Sequence, residues 1–122
     1  MTVTLEQARI MIAETFKKGH ELGLKPLSAV VLDAGGHVQA FEREDGAAPG
    51  RFGIAHGKAY GAVLLGMAGR AQMAVVPVPG GLLLRDAAGV VIGALGVTGD
   101  TSDNDVLAAL AGIAAAGLIG EE

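Results

Sequence analysis

Two apolar runs, each folding back through an Asp-Ala turn that ends in glycine, constrain this chain more than any other feature. Residues 27–32 are apolar and rich in β-branched side chains. They lead through Asp33-Ala34-Gly35-Gly36 into the alternating segment 38–43. Residues 82–85 lead through Asp86-Ala87-Ala88-Gly89 into 90–98. Glycine supplies positive φ cheaply, so both patterns predict β-hairpins. A further run, 75–78, is confined by Pro77 and Pro79 to a sheet edge or strand end. Because hairpins dominate, the sheet is expected to be antiparallel with helices packed on it.

Three helices are expected around these strands. Thr4-Leu5-Glu6-Gln7 matches a capping box, with Thr4 at the N-cap. The helix runs to about Leu22 and stops at Gly23. Its apolar stripe is Leu5, Ala8, Ile12 and Phe16, and His20 falls at the stripe's edge in the last turn. A second helix spans 52 to about 65, after the polar loop 44–50. It has a small-residue face (Ala55, Ala59, Ala62, Val63), a face shared by His56 and Tyr60, and a face shared by Arg51 and Lys58. Gly53, Gly57 and Gly61 each weaken it by up to about 1 kcal/mol relative to alanine. Their regular spacing predicts that another backbone packs close to that face. Ser102 to Asp105 repeats the capping pattern and starts a last helix, with Val106, Leu110, Ile113, Ala114 and Gly117 on its inner side. The order is helix, two strands, helix, three strands, helix. This is an α/β (α+β) architecture, a five-stranded antiparallel sheet flanked by helices, in a single domain over 1–122.

Composition narrows the function. The chain has 122 residues, no cysteine and a net charge of −4. Disulfides, thiolate metal sites and a cysteine nucleophile are excluded. Acidic balance, unclustered Lys and Arg and 3% aromatics exclude a nucleic-acid partner. No apolar stretch reaches bilayer length and no signal-peptide pattern opens the chain. A cytoplasmic protein with no membrane partner is therefore expected. Twenty-two alanines beside 20 glycines bury little per residue, which favours self-association into a homo-oligomer.

Standard catalytic signatures are absent, including the nucleophile elbow, the P-loop and the zinc-protease helix motif. Residues 93–99 form a G-x-x-G-x-x-G string better explained by strand packing than by a dinucleotide. Asp100, Asp103, Asn104 and Asp105 lack calcium-loop spacing and read as helix capping. His20 reads either as a cation stabilised by the helix dipole or as an axial haem ligand beside an apolar stripe. His37 reads as a surface turn residue. His56 could serve as acid, base or ligand, or simply stack on Tyr60. Lys58, among small residues, could bind a carboxylate or act as a base. Its bland alternative is a snorkelling surface lysine.

Ser28-Ala29-Val30-Val31-Leu32-Asp33-Ala34-Gly35-Gly36-His37, Phe41-Glu42-Arg43-Glu44-Asp45-Gly46-Ala47 and Lys58-Ala59-Tyr60 follow one another in order. Pro79-Gly80-Gly81, residues 93–99 and Asp103-Asn104-Asp105 complete the series. Over nearly its whole length this chain resembles the GlcG/HbpS haem-binding family, and also the corrinoid-operon PduO C-terminal domain. The resemblance implies a profilin-like fold, assembly into homo-oligomers and haem or a related tetrapyrrole as cofactor. It also implies that His20 is the cofactor-binding residue and the ligand to its metal. Between Lys58-Ala59-Tyr60 and Pro79-Gly80-Gly81 relatives usually carry a longer segment. Either the segment is truly shortened here or a loop is missing.

Three functions follow as expectations. The first is a homo-oligomeric small-molecule binding protein, holding haem through His20. The second is a cofactor-independent isomerase- or lyase-type enzyme acting on a small carboxylate or carbonyl compound. There Lys58, His56, His37 and Asp33 would be catalytic, and Arg43, Lys58, Gly80, Gly81 and Gly99 would bind substrate, with Gly80 and Gly81 offering N–H groups to an oxyanion. The third is an accessory subunit without chemistry.

Overall fold

Asp33 builds the first turn largely by itself. Its Oδ1 accepts from the backbone N–H groups of Gly35 and His37, both at 2.9 Å, while Gly36 takes a φ of 85°. Asp86 repeats the device, accepting from Ala88 and Val90 at 2.9 and 3.0 Å, with Gly89 at φ 82°. These turns join β1 (Ser28–Asp33) to β2 (Val38–Arg43), and β3 (Gly81–Arg85) to β4 (Val91–Thr98). The structure, a computed structural model, describes residues 2–65 and 81–122. The expected strand at 75–78, the shortened segment around it and Gly80 lie outside the described residues.

Among the described residues five strands form one antiparallel sheet in the order β2-β1-β4-β3-β5. The expected α+β fold is present. Periodicity alone shows no element beyond Gly117, yet the chain turns there at φ 76° and adds β5 (Ile119–Glu121) to the edge of β3.

α1 (Leu5–Glu21) begins with the expected reciprocal box between Thr4 and Gln7. It ends in a Schellman motif, with Gly23 N–H on His20 O and Leu24 N–H on Gly19 O. Its inner face is rotated from the expected stripe. Met11, Thr15 and Gly19 are buried with Ala8 and Ile12, and Leu5 is exposed. α3 (Ser102–Ala115) starts one residue earlier than the expected box. Thr101 is its N-cap, accepting from Asn104 N. Its inner face is Val106, Ala108, Ala109, Gly112 and Ile113, with Leu110 half-buried against the core; of the expected inner residues Ala114 and Gly117 are exposed.

Pleating divides the core. Ala29, Val31, Leu82, Leu84, Leu95 and Val97 pack against α1 and α3 on one side. Val30, Leu32, Leu83 and Ala94 pack against Ala55, Ala59 and Ala62 on the other. Those alanines belong to α2 (Arg51–Leu65). The close backbone approach expected at α2 exists, but on its opposite face and through different glycines. A Cβ at Gly81 would strike the Lys58 carbonyl, and one at Gly96 would strike the Ala55 carbonyl. Among the described residues nothing packs within reach of a Cβ at Gly53 or Gly57.

Candidate functional site

The Schellman turn that ends α1 leaves the His20 imidazole pointing across to the loop after β2. Its Nε2 is 2.6 Å from Glu44 Oε2; the His20 side chain is 76% exposed and that of Glu44 14%. The other Glu44 oxygen accepts the Leu27 N–H at 2.8 Å, so the carboxylate is fixed at both ends. Around this pair lies an open cleft of about 430 Å³ lined by Gly19, His20, Leu24, Pro26, Arg43, Glu44 and Asp45. The Arg43 Nη1 donates to Ala47 O at 2.9 Å. Among the described residues no three His, Cys, Asp or Glu side chains gather to hold a bare metal ion.

A second polar centre lies under α2. The Lys58 Nζ donates to Val97 O at 3.0 Å and lies 3.5 Å from Asp105 Oδ2. Val97 is one residue beyond the Gly81–Gly96 pair where β3 begins, and the ammonium fills that carbonyl. Burial pushes the lysine below its ordinary range, and Asp105 opposes the shift. Burial likewise raises the Asp105 carboxyl, against the hydrogen bond from Asp100 N–H and the Lys58 charge. Lys58 is thus neither the expected snorkelling lysine nor an open anchor. At the α2 start, Arg51 Nη1 donates to Thr98 Oγ1 at 3.0 Å. Asp100 accepts from Lys25 N–H, Asn104 Nδ2 and Thr101 N–H, which hold its carboxyl down to about 2.

The remaining expected residues are dispersed. His37 Nδ1 meets Asp33 Oδ1 at 3.1 Å in the exposed first turn. The His37 backbone N–H is the main cause that lowers the Asp33 carboxyl below its usual range. His56 stacks between Phe52 and Tyr60 at 5.6 and 5.3 Å. Lys58 is two positions after His56, roughly 200° around a helix, so they face apart. Gly81 packs on the Lys58 carbonyl, and Gly99, at φ 151°, packs on Pro26. The structure brings together His20 with Arg43, and Asp33 with His37. It does not gather Lys58, His56 and His37 by any hydrogen bond or ion pair among the described residues. Glu44 and Asp105 are the participants that sequence reasoning passed over, one as loop polarity and one as capping. Their partners lie 24 and 47 residues away.

Comparison with known proteins adds a family. The model of the family described as haem-degrading protein HbpS-like matches residues 3–114. Among solved structures, PduOC in complex with haem is 21% identical with a TM-score of 0.87 over 100% of both chains; at that identity it shows the fold alone. The Klebsiella pneumoniae protein ORFY is 27% identical with a TM-score of 0.82, over 95% of this chain and 91% of that one. HbpS is 25% identical with a TM-score of 0.80, over 93% and 89%. No curated protein matches the chain.

Proposed function

The chain belongs to the HbpS-like family, and from that premise we propose that it binds haem, with His20 as the ligand to iron. The cleft carries this reading. It offers one exposed imidazole backed by a fixed carboxylate, and no cluster of ligating side chains among the described residues. That donor set is too small for a bare ion. It suits a group that brings four nitrogens of its own and needs one imidazole from the protein. Glu44 would orient the ring and raise its basicity, as carboxylates do for metal-bound histidines. Because Nε2 is engaged by Glu44, Nδ1 is the nitrogen left for a ligand. Leu24 and Pro26 supply apolar wall, and Arg43 a positive charge at the rim.

The cleft is open, so one protomer leaves much of a flat ligand uncovered. A homo-oligomer supplies the cover from a second copy, and light scattering measures its size. No described helix is long and apolar enough to cross a membrane; a cytoplasmic location is part of the proposal. Hemin titration of the purified protein tests the proposal. A saturable Soret shift is expected, and His20→Ala should abolish it or weaken it strongly. An unchanged shift in the variant sinks the ligand assignment.

A second reading, an enzyme acting on a small carboxylate, has one observation in its favour. Lys58 and Asp105 form a buried pair with opposed shifts, an arrangement frequent at functional sites.

A further inference from the structure

α2 departs from the pattern that a helix lying on a sheet obeys. Such a helix turns an apolar stripe to the core and a polar face to water. α1 does so, exposing Glu6, Arg9, Lys17 and Glu21. The exposed positions of α2 are Phe52, Gly53, Ile54, Gly57, Tyr60 and Leu64, and none of them is charged. Its two full charges are turned inward, Arg51 to Thr98 and Lys58 to Val97 and Asp105. Phe52, Ile54, Tyr60 and Leu64 are between 39% and 64% exposed, while Ala55, Ala59 and Ala62 fill the opposite side. A helix apolar all round belongs in a buried environment, and the described residues cover only the inner half of this one.

The uncovered half has a definite relief. Residues four apart line up along a helix. Phe52, His56 and Tyr60 make one such row, and stacking at 5.6 and 5.3 Å holds their rings as a ridge. Phe41 of β2 props the Phe52 end, edge-on at 4.7 Å. The next row holds Gly53 and Gly57, where a Cβ would meet no described atom within 4 Å outside the helix itself. Ridge and furrow therefore run side by side at one pitch. Rows of this kind interdigitate when two helices cross at about −50°. Glycine costs a solitary helix up to about 1 kcal/mol at each position, and within the described protomer no contact offsets that cost.

We infer that this face of α2 is the contact surface for a second copy of the chain, the two helices crossing about a two-fold axis near Gly57. A two-fold contact presents one patch to itself, so each ridge of rings enters the other copy's furrow. Charge selects that occupant. The chain carries −4 net, yet no carboxylate stands on this face to repel its copy. A phosphate-rich partner, nucleic acid or anionic membrane, meets no exposed lysine or arginine there, since Arg51 and Lys58 are engaged below. A helix of 15 residues is about 22 Å long, and one such pair falls short of the roughly 800 Å² per partner of a standard interface. The pairing is accordingly reversible and depends on concentration. It shares no residue with the His20 cleft and stands apart from the haem reading.

The chain has no cysteine, so a single introduced thiol reports self-contact. Oxidised Gly57→Cys should form a covalent dimer, because a crossing at this residue brings the two Cα atoms within the roughly 7 Å that a disulfide spans. Leu107→Cys, on the exposed side of α3, should not cross-link. Sedimentation of the full chain over a concentration series should show a dimer, or a larger assembly built from such dimers. Ile54→Lys should weaken that association by about tenfold or more, and Leu107→Lys should leave it unchanged. Both side chains are exposed, so at a dilution where copies separate each variant should melt as the wild type does. A chain that stays monomeric at every concentration overturns the inference. So does Gly57→Cys cross-linking no faster than Leu107→Cys, or association that Ile54→Lys leaves intact. A monomer whose α2 amides shift only when phosphatidylserine vesicles are added gives the face to a membrane and overturns it as well. Association that persists in His20→Ala shows that the pairing holds even if the haem reading fails.

Discussion

The Lys58 Nζ lies 3.5 Å from Asp105 Oδ2, and the two side chains are 7% and 1% exposed. A pair this buried is more costly to break than to replace. Removing one partner strands an uncompensated charge, which costs about 3–5 kcal/mol. Lys58→Met and Asp105→Asn should each show a loss of that order in urea unfolding. The double variant should lose clearly less than the sum, because no stranded charge remains. Additive losses would show that the pair is not coupled.

Asp100 makes a signed pH prediction. Its folded value of about 2 lies below the ordinary 3.8, so in that interval the unfolded chain binds more protons than the folded one. Its stabilisation is present above the unfolded value and is lost as pH falls through the interval. Asp33, also lowered, acts in the same direction. Asp105, raised by burial, acts in the opposite one. Thermal melts of Asp100→Asn across pH 4 to 2, roughly the interval set by that shift, should show a shallower loss than the wild type. They should also show a lower melting temperature at neutral pH. An unchanged slope would remove Asp100 from the acid response.

What could be read in advance follows the range of the interactions. Thr4 with Gln7, Asp33 with Gly35 and His37, and Asp86 with Ala88 and Val90 are contacts within four residues, and the capping box and both turns stand in the structure. Family resemblance was legible through an ordered string of motifs, and the proposal that His20 is a ligand rests on that resemblance. Glu44 as the partner of His20, and Asp105 as the partner of Lys58, were not. Nothing local in a polar loop or a helix N-terminus marks a side chain that reaches a distant element. The inner faces of α1 and α3 shifted for a related reason. Thr15 and Gly112 meet where the two helices cross, and a Cβ at Gly112 would strike Thr15 Oγ1. Close crossing selects small residues over the large apolar ones that periodicity favours.

Glycines on the two sides of α2 should respond in opposite directions. A Cβ at Gly81 or Gly96 would run into an α2 carbonyl, so Gly96→Ala must push the helix from the sheet. Overpacking of this kind costs about 1–3 kcal/mol or more. A Cβ at Gly53 or Gly57 would meet no atom of the described residues within 4 Å outside its own stretch of helix. Gly57→Ala should instead stabilise by up to about 1 kcal/mol through helix propensity. Melting temperatures of the two variants check the contrast. A fall in Gly57→Ala accompanied by smaller particles in light scattering would show that a second copy packs on that face.

Glu44 separates scaffold from ligand chemistry. Leu27 is fully buried and its N–H relies on Glu44 Oε1. Glu44→Ala leaves that donor unpaired and should cost about 1–3 kcal/mol. Glu44→Gln keeps an acceptor for Leu27 and should melt near the wild type. It removes the negative charge beside the imidazole, however, and the loss of such a partner weakens metal-centre affinity by about 10–100-fold. Hemin titration of Glu44→Gln should therefore show weaker binding in a protein that is still well folded. Unchanged binding would make Glu44 a purely structural tie. Tighter binding would mean that Glu44 competes with iron for Nε2, and that the ring ligates through that nitrogen.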